Sequence, residues 1–154
     1  MDSVFGLVGK DFAIVAADAS AGRSILVFQH DQDKIMHLDD HKLLVGAGTP
    51  ADCVNFMEYI AKNLKLYELN NDMKLGTRAA AHYIRGELAR ALRKGPYQTN
   101  LLLAGYDAHD GVALYQMDYM ASFCKTRFGA HGELMSLAPS SSVQSTMGIL
   151  TCFS

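Results

Sequence analysis

Residues 49–96 read TPADCVNFMEYIAKNLKLYELNNDMKLGTRAAAHYIRGELARALRKGP, two helical patterns in succession with no strand between them. Thr49-Pro50-Ala51-Asp52 is a helix start: threonine at the N-cap, proline at the first helical position and an acid soon after. Cys53, Met57, Ile60, Leu64 and Tyr67 then recur at alternating steps of four and three, which puts them on one face. Asn70, Asn71 and Gly76 close the first pattern. The second runs from about Thr77 to Lys94, with Ala81, Ile84, Leu88 and Ala91 inward and Arg78, Arg85, Arg90 and Arg93 largely on the other sides. It stops at Lys94-Gly95-Pro96: a cation, a C-cap glycine, and a proline that cannot continue the helix.

Strands flank this pair on both sides. Before it come SVFGLVG, a turn at Gly9-Lys10-Asp11, FAIVAAD, SILVFQ, an acidic turn at residues 30–33, KIMHL and KLLVGAG. After it come TNLLLAGYD and GVALYQMDYMASF, joined by Ala108-His109-Asp110-Gly111, whose Asp-Gly pair signals a hairpin. Two consecutive helices break a regular βαβ alternation. They predict a layered α+β fold in which a helix pair covers a mainly antiparallel sheet. Strands as apolar as these also require cover on at least one face.

The 154 residues suffice for one domain with a core that needs neither disulfide nor metal. At 49% hydrophobic, 19% charged and a net charge of -2, the chain has a globular composition. No basic cluster interleaved with aromatics is present, which argues against a nucleic-acid partner. The three cysteines, Cys53, Cys124 and Cys152, form no CxxC pair, so neither zinc nor a disulfide framework is indicated, and a reducing compartment fits. The start MDSVFGLVGKD lacks the basic head and unbroken apolar run of a signal peptide. No stretch has the length of a membrane span. The expected location is cytoplasm and nucleus, with no membrane partner.

Several short motifs carry little. Gly46-Ala47-Gly48-Thr49-Pro50-Ala51 imitates a dinucleotide fingerprint, with Glu68 about where the ribose acid should stand. A parallel strand should follow its helix, and a second helix follows instead, so a tight strand-to-helix turn is the better reading. His37 and His41 sit in a strand end and turn without a third ligand at a recognisable spacing. Asp31-Gln32-Asp33 opens like a calcium loop but has neither its glycine nor its closing glutamate. No G-x-S-x-G occurs, which removes support for a serine-hydrolase elbow. No cofactor and no metal are expected.

Asp18, at the end of FAIVAAD, and Lys34, at the start of KIMHL, are charges attached to otherwise apolar strands. The plain reading is a structural ion pair between neighbouring strands. The chemical reading is that a buried carboxylate fixes an ammonium, which lowers the pKa of a nearby hydroxyl. Such a pair requires a nucleophile as its third member.

FAIVAADASAG, DKIMHLDDHKLLVGAGTPAD and NLLLAGYDAHDGVALYQMDYMAS together resemble the beta subunits of the 20S proteasome, over about residues 1–132. The resemblance implies an N-terminal-nucleophile hydrolase fold, a four-layer α/β/β/α sandwich. Active members attack a peptide carbonyl with an N-terminal threonine whose α-amine handles the proton. The family's aspartate falls on Asp18, its lysine on Lys34 and its oxyanion-hole glycine on Gly48. The threonine's place falls on Asp2, which has no hydroxyl, and neither Gly-Thr pair, Gly48-Thr49 or Gly76-Thr77, lies near the start.

The resemblance is therefore to a non-catalytic member of the ring. It implies neighbouring beta subunits and an alpha ring as partners, and a part in ubiquitin-dependent protein degradation by the assembled complex. The chain divides into a beta-type domain over 1–132, lacking the family's last elements, and a divergent tail over 133–154 with the run Ser140-Ser141-Ser142, expected to be loosely ordered. Two other readings follow from these departures: a stand-alone amidohydrolase with a non-standard nucleophile, and a shortened form that does not assemble.

Overall fold

The computed structural model describes residues 2–23, 26–132 and 149–153. In chain order these form β1 (Ser3–Val8), β2 (Ala13–Ala17), β3 (Ala21–Arg23), β4 (Leu26–Gln29), β5 (Ile35–Asp39), β6 (Lys42–Gly48), α1 (Pro50–Asn71), α2 (Thr77–Ala91), β7 (Thr99–Asp107), β8 (Gly111–Met117), β9 (Phe123–Thr126), β10 (Phe128–Gly132) and β11 (Ile149–Phe153). One antiparallel sheet has the order β5-β6-β7-β8-β9 and a second the order β10-β1-β2-β11, while β3 and β4 pair as a small ribbon.

The apolar strands of the five-stranded sheet are buried on both faces, and their period of two sends alternate residues to two cores. Leu43, Val45, Leu102 and Leu114 point toward Val4 and Val15 of the other sheet. Leu44, Leu101, Leu103 and Met117 point the opposite way, into the helix pair. Each fully buried leucine contributes about 2 kcal/mol of transfer free energy, so this doubled burial anchors the sheet from both sides. The helix pair and the two sheets are three layers of the expected α+β sandwich.

The helices pack as the sequence pattern predicts, with adjustments. In α1 the buried residues are Cys53, Phe56, Met57 and Ile60. Phe56 joins the inward face and packs against Tyr97 with the rings tilted and their centroids 4.8 Å apart, whereas Tyr67, near the end of the helix, is exposed. Thr49 stands at the N-cap without a side-chain cap bond. Its neighbour Asp52 instead accepts the Gln98 N–H at 3.0 Å and ties the helix start to the strand beyond α2. Helix α2 is capped from outside too: the Asp107 carboxylate, at the end of β7, accepts the Thr77 N–H at 2.8 Å. An anion at that N-terminus is favourable to the helix dipole.

Three strand boundaries differ from expectation. GVALYQMDYMASF is not one strand but β8 and β9, separated where Asp118 Oδ1 accepts the N–H groups of Met120 and Ser122 at 3.0 and 2.8 Å. That local bonding competes with the ladder and makes a turn. Strand β10 follows β9 after a single residue and crosses to the other sheet, where it pairs with β1. Of the tail assigned to 133–154, residues 133–148 and 154 lie outside the described residues. The backbone of Ile149–Phe153 pairs antiparallel with β2.

Candidate functional site

Both candidate charges stand at one end of the four-stranded sheet, where β1 begins and β2 ends. Antiparallel pairing of β1 with β2 sets Val4 opposite Ala17, so the residues just outside that pair, Ser3 and Asp18, are neighbours. The Ser3 N–H donates to Asp18 Oδ1 at 2.8 Å and the Ser20 hydroxyl to Asp18 Oδ2 at 2.7 Å. Lys34 enters from the start of β5, in the other sheet. Its ammonium donates to Asp18 Oδ1 at 2.8 Å, Asp2 Oδ1 at 2.7 Å and the Ser20 carbonyl at 2.8 Å. Three acceptors for three N–H donors leave the ammonium fully bonded, as a lysine only 5% exposed must be.

Asp2 completes the group. Its second oxygen, Oδ2, accepts the Gly48 N–H at 3.2 Å. Gly48 ends β6 with φ +148, and a Cβ there would meet the Gln98 carbonyl oxygen at 2.2 Å. Only glycine allows the chain to turn here toward Asp2. All four residues singled out from sequence, Asp2, Asp18, Lys34 and Gly48, are thus brought together.

Their electrostatics are those of a settled pair. Burial pushes the Asp18 carboxyl upward, but the hydrogen bonds from Lys34, Ser3 and Ser20 outweigh it and hold the group below its ordinary value. Burial likewise pulls Lys34 down, and the bonds to Asp18 and Asp2 prevail, leaving it above its ordinary value. Both groups stay charged at neutral pH.

Ser20 is the participant that sequence reading missed. Its signal was Asp18-Ala19-Ser20, in which a hydroxyl two residues after a carboxylate can bond back to it. Beside the group a depression of about 10 Å³ is bounded in part by Asp2, Lys34, Gly46 and Cys53. That is room for about one water. Burial pushes the Cys53 thiol up, and Cys53 Sγ lies 3.1 Å from Thr99 Oγ1, so the sulfur is an inert part of the wall.

The remaining motifs take structural places. Strands β6 and β7, on either side of the helix pair, are antiparallel neighbours, which is incompatible with a dinucleotide-binding βαβ unit. Glu68 pairs with Lys65 at 2.8 Å. His41 packs edge-on against Tyr106, and no group of His, Cys, Asp and Glu suited to a metal ion exists among the described residues. No helix of the described residues is long and apolar enough to cross a membrane.

Comparison with known proteins adds an independent line. A family model described as "Proteasome subunit" matches residues 2–140. "Proteasome subunit beta type-2" of Oryza sativa subsp. japonica is 55% identical over 132 residues, covering 86% of this chain and 62% of the rice protein. "Proteasome subunit beta type-2-B" of Arabidopsis thaliana is 54% identical over 132 residues, 86% of this chain and 66% of its own length. "Proteasome subunit beta type-2" of Dictyostelium discoideum is 46% identical over 135 residues, 86% of this chain and 68% of its own. The chain spans less than two thirds of the length of the rice and Arabidopsis relatives.

Proposed function

Because the chain belongs to the proteasome subunit family, we propose that it is a structural, non-catalytic subunit of the β ring of the 20S core particle. Asp2 carries this reading. It stands at the place that the family resemblance gives to the nucleophile, and its carboxylate spans Lys34 Nζ and the Gly48 N–H. A carboxylate there has no hydroxyl to add to a peptide carbonyl. Its negative charge also occupies the backbone donor that would otherwise stabilise a developing oxyanion.

The role left to such a chain is architectural. In the cytoplasm and nucleus it would pack between neighbouring β subunits and against the α ring. There it would help to enclose a chamber in which other subunits cut proteins delivered by the ubiquitin pathway. Asp18 and Lys34 serve that role by tying the two sheets together across the layer between them.

Native mass measurement of the tagged full chain recovered from cells tests the assembly. Migration in a particle of hundreds of kilodaltons supports it, and a lone monomer or aggregate overturns it for this chain. Asp18→Asn tests the chemistry: the yield of particle should fall while peptidase turnover per assembled particle is unchanged. Loss of turnover at full assembly would overturn the non-catalytic assignment, as would threonine-protease-like turnover by the isolated chain with a verified N-terminus.

A further inference from the structure

At the end of the sandwich away from Asp2 and Lys34, the two sheets do not close on one another. Ala13 and Val112 hold the inward positions there, and with Gly105 and Gly111 they line a cleft of about 400 Å³. That volume lies in the range of small-molecule sites. Phe12 and Tyr106 supply its walls.

Those walls are aromatic and held in place. On one side Phe12, 38% exposed, folds back over the β1–β2 turn. A Cβ at Gly9 would meet its ring at 2.4 Å, so glycine is what allows this close approach. On the other side Tyr106, 44% exposed, has the His41 ring edge-on at 6.1 Å and 72°, and its N–H donates to the His41 carbonyl at 3.0 Å. Each wall comes from a different sheet, so the spacing between the rings is set by the packing of the sandwich.

The rim is polar: Lys10, Asp11 and His41. Lys34, Lys42, Lys62, Lys65 and Lys74 are engaged in ion pairs, whereas no ion pair among the described residues engages Lys10. Two of the three rim groups can carry positive charge, against one carboxylate.

We propose that this cleft binds a small planar aromatic acid, its ring between Phe12 and Tyr106 and its carboxylate toward Lys10 and His41. Flat π faces stack on flat ligands with offset or edge-on geometry, and an anion at the mouth gains the lysine without being desolvated. The proposal is independent of the catalytic state of the opposite end.

Titration of the full chain with 2-naphthoate, followed by NMR, tests it. Saturable binding is expected, with shifts concentrated at Phe12, Ala13, His41 and Tyr106. Phe12→Ala and Tyr106→Ala should each weaken binding roughly fivefold, the scale of one aromatic contact. Lys10→Met should weaken 2-naphthoate and leave 2-naphthol unaffected, a comparison that needs no change in the walls and so survives any instability of the aromatic variants. Absence of saturation at millimolar ligand would overturn the proposal. So would shifts centred elsewhere, or equal loss of both ligands on Lys10→Met.

Discussion

Lys34 Nζ and Asp2 Oδ1 stand 2.7 Å apart, so a buried ammonium is shared between two carboxylates that belong to different strand ends. The charge inside the group is one cation against two anions, offset by donors from Ser3, Ser20 and Gly48. Both carboxylates consequently depend on Lys34, and neither depends on the other.

Lys34→Met is expected to cost about 3 kcal/mol, because it leaves Asp2 and Asp18 facing each other without a counter-charge. Asp2→Asn should cost about 1 kcal/mol, since Asp18 still holds the ammonium and the amide oxygen can still accept. Urea unfolding of both variants with unchanged m-value measures the difference. Equal losses would show that the second carboxylate is not balanced by the lysine.

The same group sets stability at both extremes of pH. Asp18 titrates in the folded chain below its ordinary 3.8, so its contribution is present above that value and is lost as pH falls through the folded pKa. Lys34 titrates above its ordinary 10.5, so its contribution is present below that value and is lost as pH rises through the folded pKa. Lys34→Met should flatten the alkaline flank of a stability profile and shift the acid flank upward. An unchanged alkaline flank would remove Lys34 from this account.

His131 adds a separate acid-sensitive element. It is 5% exposed, with Nε2 lacking a hydrogen-bond partner. Burial lowers its pKa below the ordinary 6.5 against the opposing pull of the Leu101 and Met117 carbonyls and of Asp118. The unfolded chain then takes up a proton that the folded chain refuses, so stability is full above 6.5 and falls as pH drops through the folded value. His131→Leu should remove this slope and keep the one from Asp18. Retention of both slopes would place the titration on another group.

Gly48→Ala tests the turn that brings the amide to Asp2. With φ +148 and a carbonyl oxygen 2.2 Å from the added carbon, the loss should be about 2 kcal/mol or more. Hydrogen exchange at Thr49, whose N–H donates to the Gln98 carbonyl, should accelerate. Protection at wild-type level would show that the strand end tolerates the substitution.

Phe56→Ala should cost about 3–4 kcal/mol, the usual loss for a large aromatic removed from a closed core. Thermal unfolding by circular dichroism measures it. A loss near that of an exposed residue such as Leu69 would contradict the packing of α1 on the sheet.

Much of this was legible in the chain, because the signals were local. Pro50, Gly95 and Pro96 bound the helix pair, and Asp110-Gly111 marks the β7–β8 hairpin. Part of what eluded reading depended on partners distant in sequence. Phe56 is inward because Tyr97 lies across from it, and Tyr67 is exposed because α1 runs past the sheet. The break at Asp118 came from side-chain bonds to the backbone that hydrophobic pattern does not register. Asp18 and Lys34 could be named as a pair; Ser20 left only the weak signal of a hydroxyl two residues after Asp18, because the turn after β2 is what aims its carbonyl and hydroxyl at the site.

By itself the sequence determined the order of strands, helices and strands, and with it a layered α+β fold, because apolar periodicity and turn residues act within a few positions. It also determined that residue 2 is a carboxylate. Only the tertiary structure decided where that carboxylate goes. Strand pairing carries Asp2 and Asp18 to one sheet end, sheet stacking presents Lys34 and Gly48 from the other, and charge neutralisation in a poorly solvated gap fixes them there.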